Sequence, residues 1–171
     1  MKTITLHLLS LVVWAAAALA GDGEMGLKFY VVHTASFQGS RKIVEPSKGE
    51  VLYVTEKPQL VIPLLKSLRV DPPAPWTRLD ENHEIVERGK TPWGVSVTFF
   101  PDEWKPFQTL MNANVGHRIA IMVGDIVCAV PLLKTEIQGE QEQNPGISIS
   151  VGGENEAQKL KAMLIELAPQ E

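Results

Sequence analysis

The sequence predicts an α+β fold, a two-layer sandwich in which a mainly antiparallel sheet is covered on one face by two helices. Three observations predict it. Ile119–Val123 and Ile126–Val130 are two apolar runs separated only by Gly124-Asp125, a hairpin signal. Gly94–Phe100 and Ile147–Val151 alternate apolar with hydroxyl residues, as half-buried strands do. Two further stretches, one around Trp104, Phe107 and Met111 and one around Ala157, Leu160, Met163, Leu164 and Leu167, place apolar residues at helical spacing.

The elements follow in chain order. Residues 1–20 carry one charge, Lys2, then an apolar run closing on Ala18-Leu19-Ala20, the three-part pattern of a secretory signal peptide cleaved after Ala20. The remaining 151 of 171 residues, 21–171, are one domain's worth. Leu27–His33 reads as a strand, residues 34–50 as a loop, and Val51–Thr55 as a second strand. Leu60, Leu64, Leu65 and Leu68 have helical spacing, and Pro63 limits that segment to a short helix starting near it. Residues 71–92, opening Asp71-Pro72-Pro73-Ala74-Pro75-Trp76, read as a long irregular loop, because three prolines lack amide donors. After the strand Gly94–Phe100, Pro106 predicts a late helix start or a distortion near Trp104. Glycine first in the 124–125 turn suits type II′, and Pro131 ends the pairing or sits at an edge. A polar loop, Gln138–Pro145, leads to the strand at 147–151 and a closing helix over Glu154–Leu167.

Composition excludes several function classes. Removing the leader takes away one Lys and no acid, so the net charge moves from −4 to −5, the wrong sign for nucleic acid. Cys128 is the one cysteine, so no internal disulfide forms, and its neighbours Ile126, Val127, Ala129 and Val130 mark a small buried hydrophobe. No other stretch is long and apolar enough to span a bilayer once the leader is removed.

The order of elements and particular residues resemble the head subdomain of the first periplasmic domain of SecD, the bacterial protein-export subunit, or of the fused SecDF. Phe100-Pro101-Asp102-Glu103-Trp104-Lys105-Pro106-Phe107 matches the family's helix start. Asn114-Val115-Gly116-His117-Arg118-Ile119-Ala120-Ile121-Met122-Val123-Gly124-Asp125, ending in Val130-Pro131, matches its hairpin. Glu156-Ala157-Gln158-Lys159-Leu160 matches its last helix. The likeness is good over 94–167 and looser from residue 51. Here Gly153 replaces the family's capping Thr, and Gly124-Asp125 replaces its Asp-Gly turn. The resemblance implies a SecD-head-like fold in the periplasm, without the family's transmembrane helices and therefore without their motor function.

No residues converge on a chemistry. His33, His83 and His117 lack metal-ligand spacing with one another or with Cys128, and no nucleophile elbow or phosphate loop occurs, so no catalytic, metal or cofactor site is expected. Gly152-Gly153 before a helix reads as capping, because Glu154 and Glu156 repel anions there. The candidate contact residues are Trp76, Trp93 and Trp104, around the proline-rich segment. The leading expectation is a non-enzymatic binding or adaptor module contacting polypeptide or an envelope protein, through strand addition at a sheet edge. The alternatives are a small enzyme with a site near His83 and the 71–92 segment, and an oligomerisation subunit of an envelope complex.

Overall fold

A computed structural model describes residues 25–137 and 145–167. The leader, its cleavage position, most of the Gln138–Pro145 loop and the last four residues lie outside these. The chain is α+β with antiparallel pairing throughout its sheets.

Strand β1 (Leu27–Val31) sits inside a four-stranded sheet ordered β10-β9-β1-β4, with β4 at Leu60–Ile62, β9 at Ile119–Val123 and β10 at Ile126–Ala129. Its two faces meet different cores. Leu27, Phe29, Ile119 and Ile121 face the main core, while Tyr30, Val32, Ala120 and Met122 pack against Ile43, Leu52 and Val54. Those last three belong to a two-stranded ribbon, β2 (Ser40–Val44) with β3 (Val51–Thr55). Burial on both faces is why 119–123 reads as a continuous apolar run rather than an alternation.

The second sheet is ordered β11-β8-β5, with β5 at Leu65–Asp71, β8 at Trp93–Phe99 and β11 at Gly146–Val151. Val95, Val97, Phe99 and Ile149 point into the main core, as their alternation predicts. Helix α1 (Pro101–Ala113) buries Trp104, Phe107 and Met111. The Phe107 ring meets Phe29 edge-on at 5.4 Å and Phe99 at 5.2 Å, so one side chain ties the two sheets together. Helix α2 (Glu154–Leu164) runs into a 3₁₀ turn, Ile165–Leu167, and buries Ala157, Leu160, Leu164 and Leu167.

Several expectations are corrected. Among the described residues the single sheet under two helices is instead two sheets and two ribbons. Residues 34–50 contain strand β2, which buries only Ile43 of its two terminal apolar residues and is held by pairing with β3. Leu60–Leu68 is not a helix. It is β4 and β5 with a bend at Pro63-Leu64, where the chain passes from one sheet to the other. Ile62 and Leu65 are the fully buried residues there and Leu64 is 55% exposed, so tertiary packing overrides the leucine spacing. Residues 71–92 form a hairpin, β6 (Pro75–Leu79) with β7 (Ile85–Lys90). Helix α1 starts early, at Pro101, and continues through Pro106. Pro106 lies on the exposed side, where water can take the carbonyl bond its missing amide forfeits.

The hairpin of β9 and β10 closes as predicted, with Ile126 opposite Val123 and positive φ at Gly124 alone, the type II′ pattern. Two arginines pin the β2–β3 ribbon to it. Arg41 Nη1 meets Asp125 Oδ1 at 2.5 Å, and its guanidinium lies 5.4 Å from the Tyr30 ring centroid. Arg118 donates to Glu45, and to Glu50 at 2.7 Å, while Ser47 Oγ donates to Glu45 at 2.9 Å. Glu45 is only 5% exposed. Burial raises its carboxyl, but the bonds from Arg118 and Ser47 outweigh that and hold it below the ordinary glutamate range.

A depressed folded value means the unfolded chain binds this proton more readily. The stabilisation is therefore present above the unfolded value of about 4.3 and is lost as pH falls through the folded value. Glu45→Gln should cost about 1–3 kcal/mol at neutral pH. In urea unfolding followed across pH, the variant should also show a shallower acid loss than the parent chain. Equal acid limbs would assign the acid sensitivity to other carboxylates.

Candidate binding groove between two sheet edges

β10 and β11 are each the last strand of their sheet, and together they wall a groove of about 860 Å³. The β2–β3 turn contributes Glu45, Pro46 and Ser47 at its border, and α2 contributes Glu156, Lys159, Leu160 and Met163. Most of the wall between is apolar, including Ile121, Ile126, Val127, Ala129, Ile149 and Val151. Its carboxylates are engaged: Glu45 binds Arg118, and Glu156 Oε2 accepts from the Gly152 amide at 2.7 Å. The latter contact, from the third residue of α2, holds the amide one residue before the Gly153 N-cap, which itself has no side-chain cap bond.

The pairing phase decides which backbone groups face the groove. Phe99 N–H donates to the Pro145 carbonyl at 2.6 Å, so in the register of β8 with β11 the residues Ile147, Ile149 and Val151 bond inward. Ser148 and Ser150 therefore turn their amides and carbonyls outward. In β10, Ile126 closes the hairpin and bonds inward, which turns Val127 outward. Ile119 N–H donates to the Pro131 carbonyl at 3.0 Å and Ala129 pairs with Ile121, which turns Val130 outward between them.

The two edges come within 8 Å, Cα to Cα, at their nearest. Paired strands lie about 4.8 Å apart, so a strand hydrogen-bonded to both edges needs about 9.6 Å between them. The narrow part of the groove cannot hold an intercalated strand. One edge can be extended, with side chains of the added segment resting on the apolar wall.

Cys128 is the extra residue of a bulge in β10 and lines the groove half-buried. Burial pushes its thiol up to about 11, against a smaller lowering by a hydrogen bond with the Val123 backbone. It stays protonated at neutral pH and behaves as a wall residue rather than a nucleophile. A second, smaller concavity, about 530 Å³, lies between β4 and α1 beside Leu60, Lys105 and Leu110. No group of three or more His, Cys, Asp or Glu side chains among the described residues is placed to hold a metal.

The three tryptophans do not form one surface. Trp104 is buried, its ring 5.5 Å from that of Phe107, and its Nε1 has no hydrogen-bond partner. Trp93 opens β8 and packs partly buried against the main core, while Trp104 follows the far end of that strand. Trp76 alone is exposed, at 38%, on the β6–β7 hairpin. His83 sits at that hairpin's tip with φ of +63°, and Asp80 Oδ1 accepts from the amides of Asn82 and Glu84 beside it.

No family model matches the chain, and no curated protein does. Two solved structures of SecDF are similar in fold. One, of SecDF as a membrane component that enhances protein export, has 17% identity and a TM-score of 0.48, and covers 83% of this chain and 63% of that one. The other, SecDF in its super-membrane-facing form, has 18% identity and a TM-score of 0.50, covering 82% of this chain and 18% of that one. The chain thus spans less than two thirds of each. It has a SecDF-like fold, and no helix among the described residues is long and apolar enough to cross a membrane.

The tryptophan placements separate by mutation. Trp104→Ala should cost about 3–5 kcal/mol, as truncation of a core aromatic does, measured by denaturant unfolding. Trp76→Ala should move the same transition by less than about 1 kcal/mol. His83→Gly should stabilise by up to about 1 kcal/mol, because glycine adopts positive φ without strain; a loss of stability would show that the imidazole itself supports the turn.

Proposed function

We propose that this chain is a non-enzymatic module of the bacterial envelope, associated with protein export, that holds extended polypeptide along the outer edge of β11. The observation that carries the reading is the groove: Ser148 and Ser150 present outward backbone groups beside an apolar wall shared with β10 and α2. A peptide added there gains main-chain bonds independent of sequence, while the wall favours apolar side chains. The SecDF-like fold supports the link to export, and the leader-like residues 1–20 support a periplasmic location for a single module spanning 21–171. Of the three tryptophans, Trp76 is the most exposed, and it lies on the β6–β7 hairpin rather than among the groove residues.

Ser150→Pro tests this directly. It removes one outward amide from an exposed position on an edge strand, where proline is tolerated. A fluorescently labelled, permanently unfolded polypeptide should bind the parent chain and raise its anisotropy. The proline variant should bind about tenfold more weakly, the value of one main-chain bond, and Met163→Glu should weaken binding by charging the wall. Unaltered circular dichroism would confirm that both variants fold. Absence of binding by the parent chain, or equal binding by all three, would sink the reading.

A further inference from the structure

The β6–β7 hairpin is the one ribbon that buries almost nothing. Every residue of β6 is exposed, and in β7 only Gly89 is partly covered. Trp76, Leu79, Ile85 and Val86 stand 38–50% exposed on it. An isolated two-stranded hairpin is marginal in water, so a ribbon of this kind gains from further pairing.

The free edge of β6 has a definite pattern. Thr91 N–H donates to the Ala74 carbonyl at 2.9 Å, which sets the phase: Ala74, Trp76 and Arg78 bond toward β7, and Pro75, Thr77 and Leu79 face outward. Pro75 therefore loses no bond to β7, since its missing amide would point to solvent. The opposite edge is obstructed: β7 carries a bulge at Val86, together with Arg88 and Lys90.

We infer that β6 pairs with β6 of a second copy, antiparallel, about a two-fold axis through Thr77. This register is self-complementary. Thr77 faces Thr77 of the other copy and exchanges two main-chain bonds with it. Each Leu79 amide donates to the Pro75 carbonyl opposite, and only the amides that proline lacks are missing. On one face, Trp76 of each copy lies across from Arg78 of the other, a cation–π pair made twice. Trp76 is held ready for it. A Cβ at Gly89 would stand 2.7 Å from the indole, so the ring lies across that glycine, and Arg78 is steadied by Glu87 at 3.3 Å. The acidic turn, Asp80, Glu81 and Glu84, lies at the other end of the hairpin from Lys90, which pairs with Pro75, so antiparallel pairing brings opposite charges toward each other. A four-bond contact is small, and the association falls in the micromolar-to-millimolar range.

Light scattering on the purified chain between about 10 μM and about 1 mM should show the mass rising from monomer toward dimer. Thr77→Pro removes both axial amides while facing solvent in the monomer, and should remain monomeric throughout. In a Cys128→Ser background, Thr77→Cys should trap a disulfide dimer on mild oxidation, because position 77 alone faces its own copy. Leu79→Cys, facing Pro75 instead, should not. A parent chain that stays monomeric, a Thr77→Pro variant that still dimerises, or equal trapping at 77 and 79 would each overturn the inference. So would a monomeric chain whose hairpin instead captures a foreign polypeptide.

Discussion

The architecture depends on one aromatic contact. Phe107 reaches from α1 to Phe29 in one sheet and Phe99 in the other, and no strand pairing joins those sheets. Each edge-to-face pair contributes about 0.5–1.5 kcal/mol beyond area burial, and Trp104 and Met111 extend the same buried face. The chain crosses between the sheets once directly, at Pro63-Leu64, so β4 and β5 stay close along that side. On the opposite side β10 and β11 are held near each other without pairing. The groove is the consequence of tying two sheets through a helix instead of through hydrogen bonds.

The second face of the four-stranded sheet is closed by charge as well as by apolar packing. Ile43, Leu52 and Val54 are buried there, and the ribbon carrying them is anchored at its margins by Arg41 to Asp125 and by Arg118 to Glu45 and Glu50. A buried ion pair rarely stabilises more than an apolar replacement, but it fixes geometry. Here it fixes the 45–50 turn, whose Glu45, Pro46 and Ser47 border the groove. The support of the ribbon and the shape of the candidate site are therefore one arrangement.

What was legible in the residues follows from how each element is buried. The 119–130 hairpin, the 94–100 strand and the two helical stripes were readable because their periodicity and turn chemistry agree with their tertiary surroundings. The SecDF-like fold, matched over 82% of the chain, bears out the fold that the resemblance implied and no particular subdomain of it. Strands β2, β4 and β5 were not readable. The first buries one side chain, and the other two change sheets within a few residues, so the leucines at 60, 64, 65 and 68 fall at helical spacing although the chain there is two short strands. The prolines at 72, 73 and 75 hid β6 because proline argues against a central strand, whereas β6 has a free edge. The groove had no sequence signal of its own. Ser148, Ser150, Val127 and Met163 come from three elements, and their role depends on which way a backbone amide turns.

That dependence also separates the β11 edge from the β6 edge. The β11 edge is recessed: β10 stands within 8 Å of it and α2 flanks the same groove. A folded hairpin approaching it would meet those walls, while a single extended segment would not. The β6 edge belongs to a ribbon with no cover on either face, and nothing in its two-stranded sheet limits the width of what approaches. A second ribbon fits there as readily as a single strand, and self-complementarity about Thr77 favours a copy of the same ribbon. Two edges that offer the same backbone chemistry thus differ in what surrounds them, which is why the groove is proposed to hold a single extended chain and the arms to join two modules.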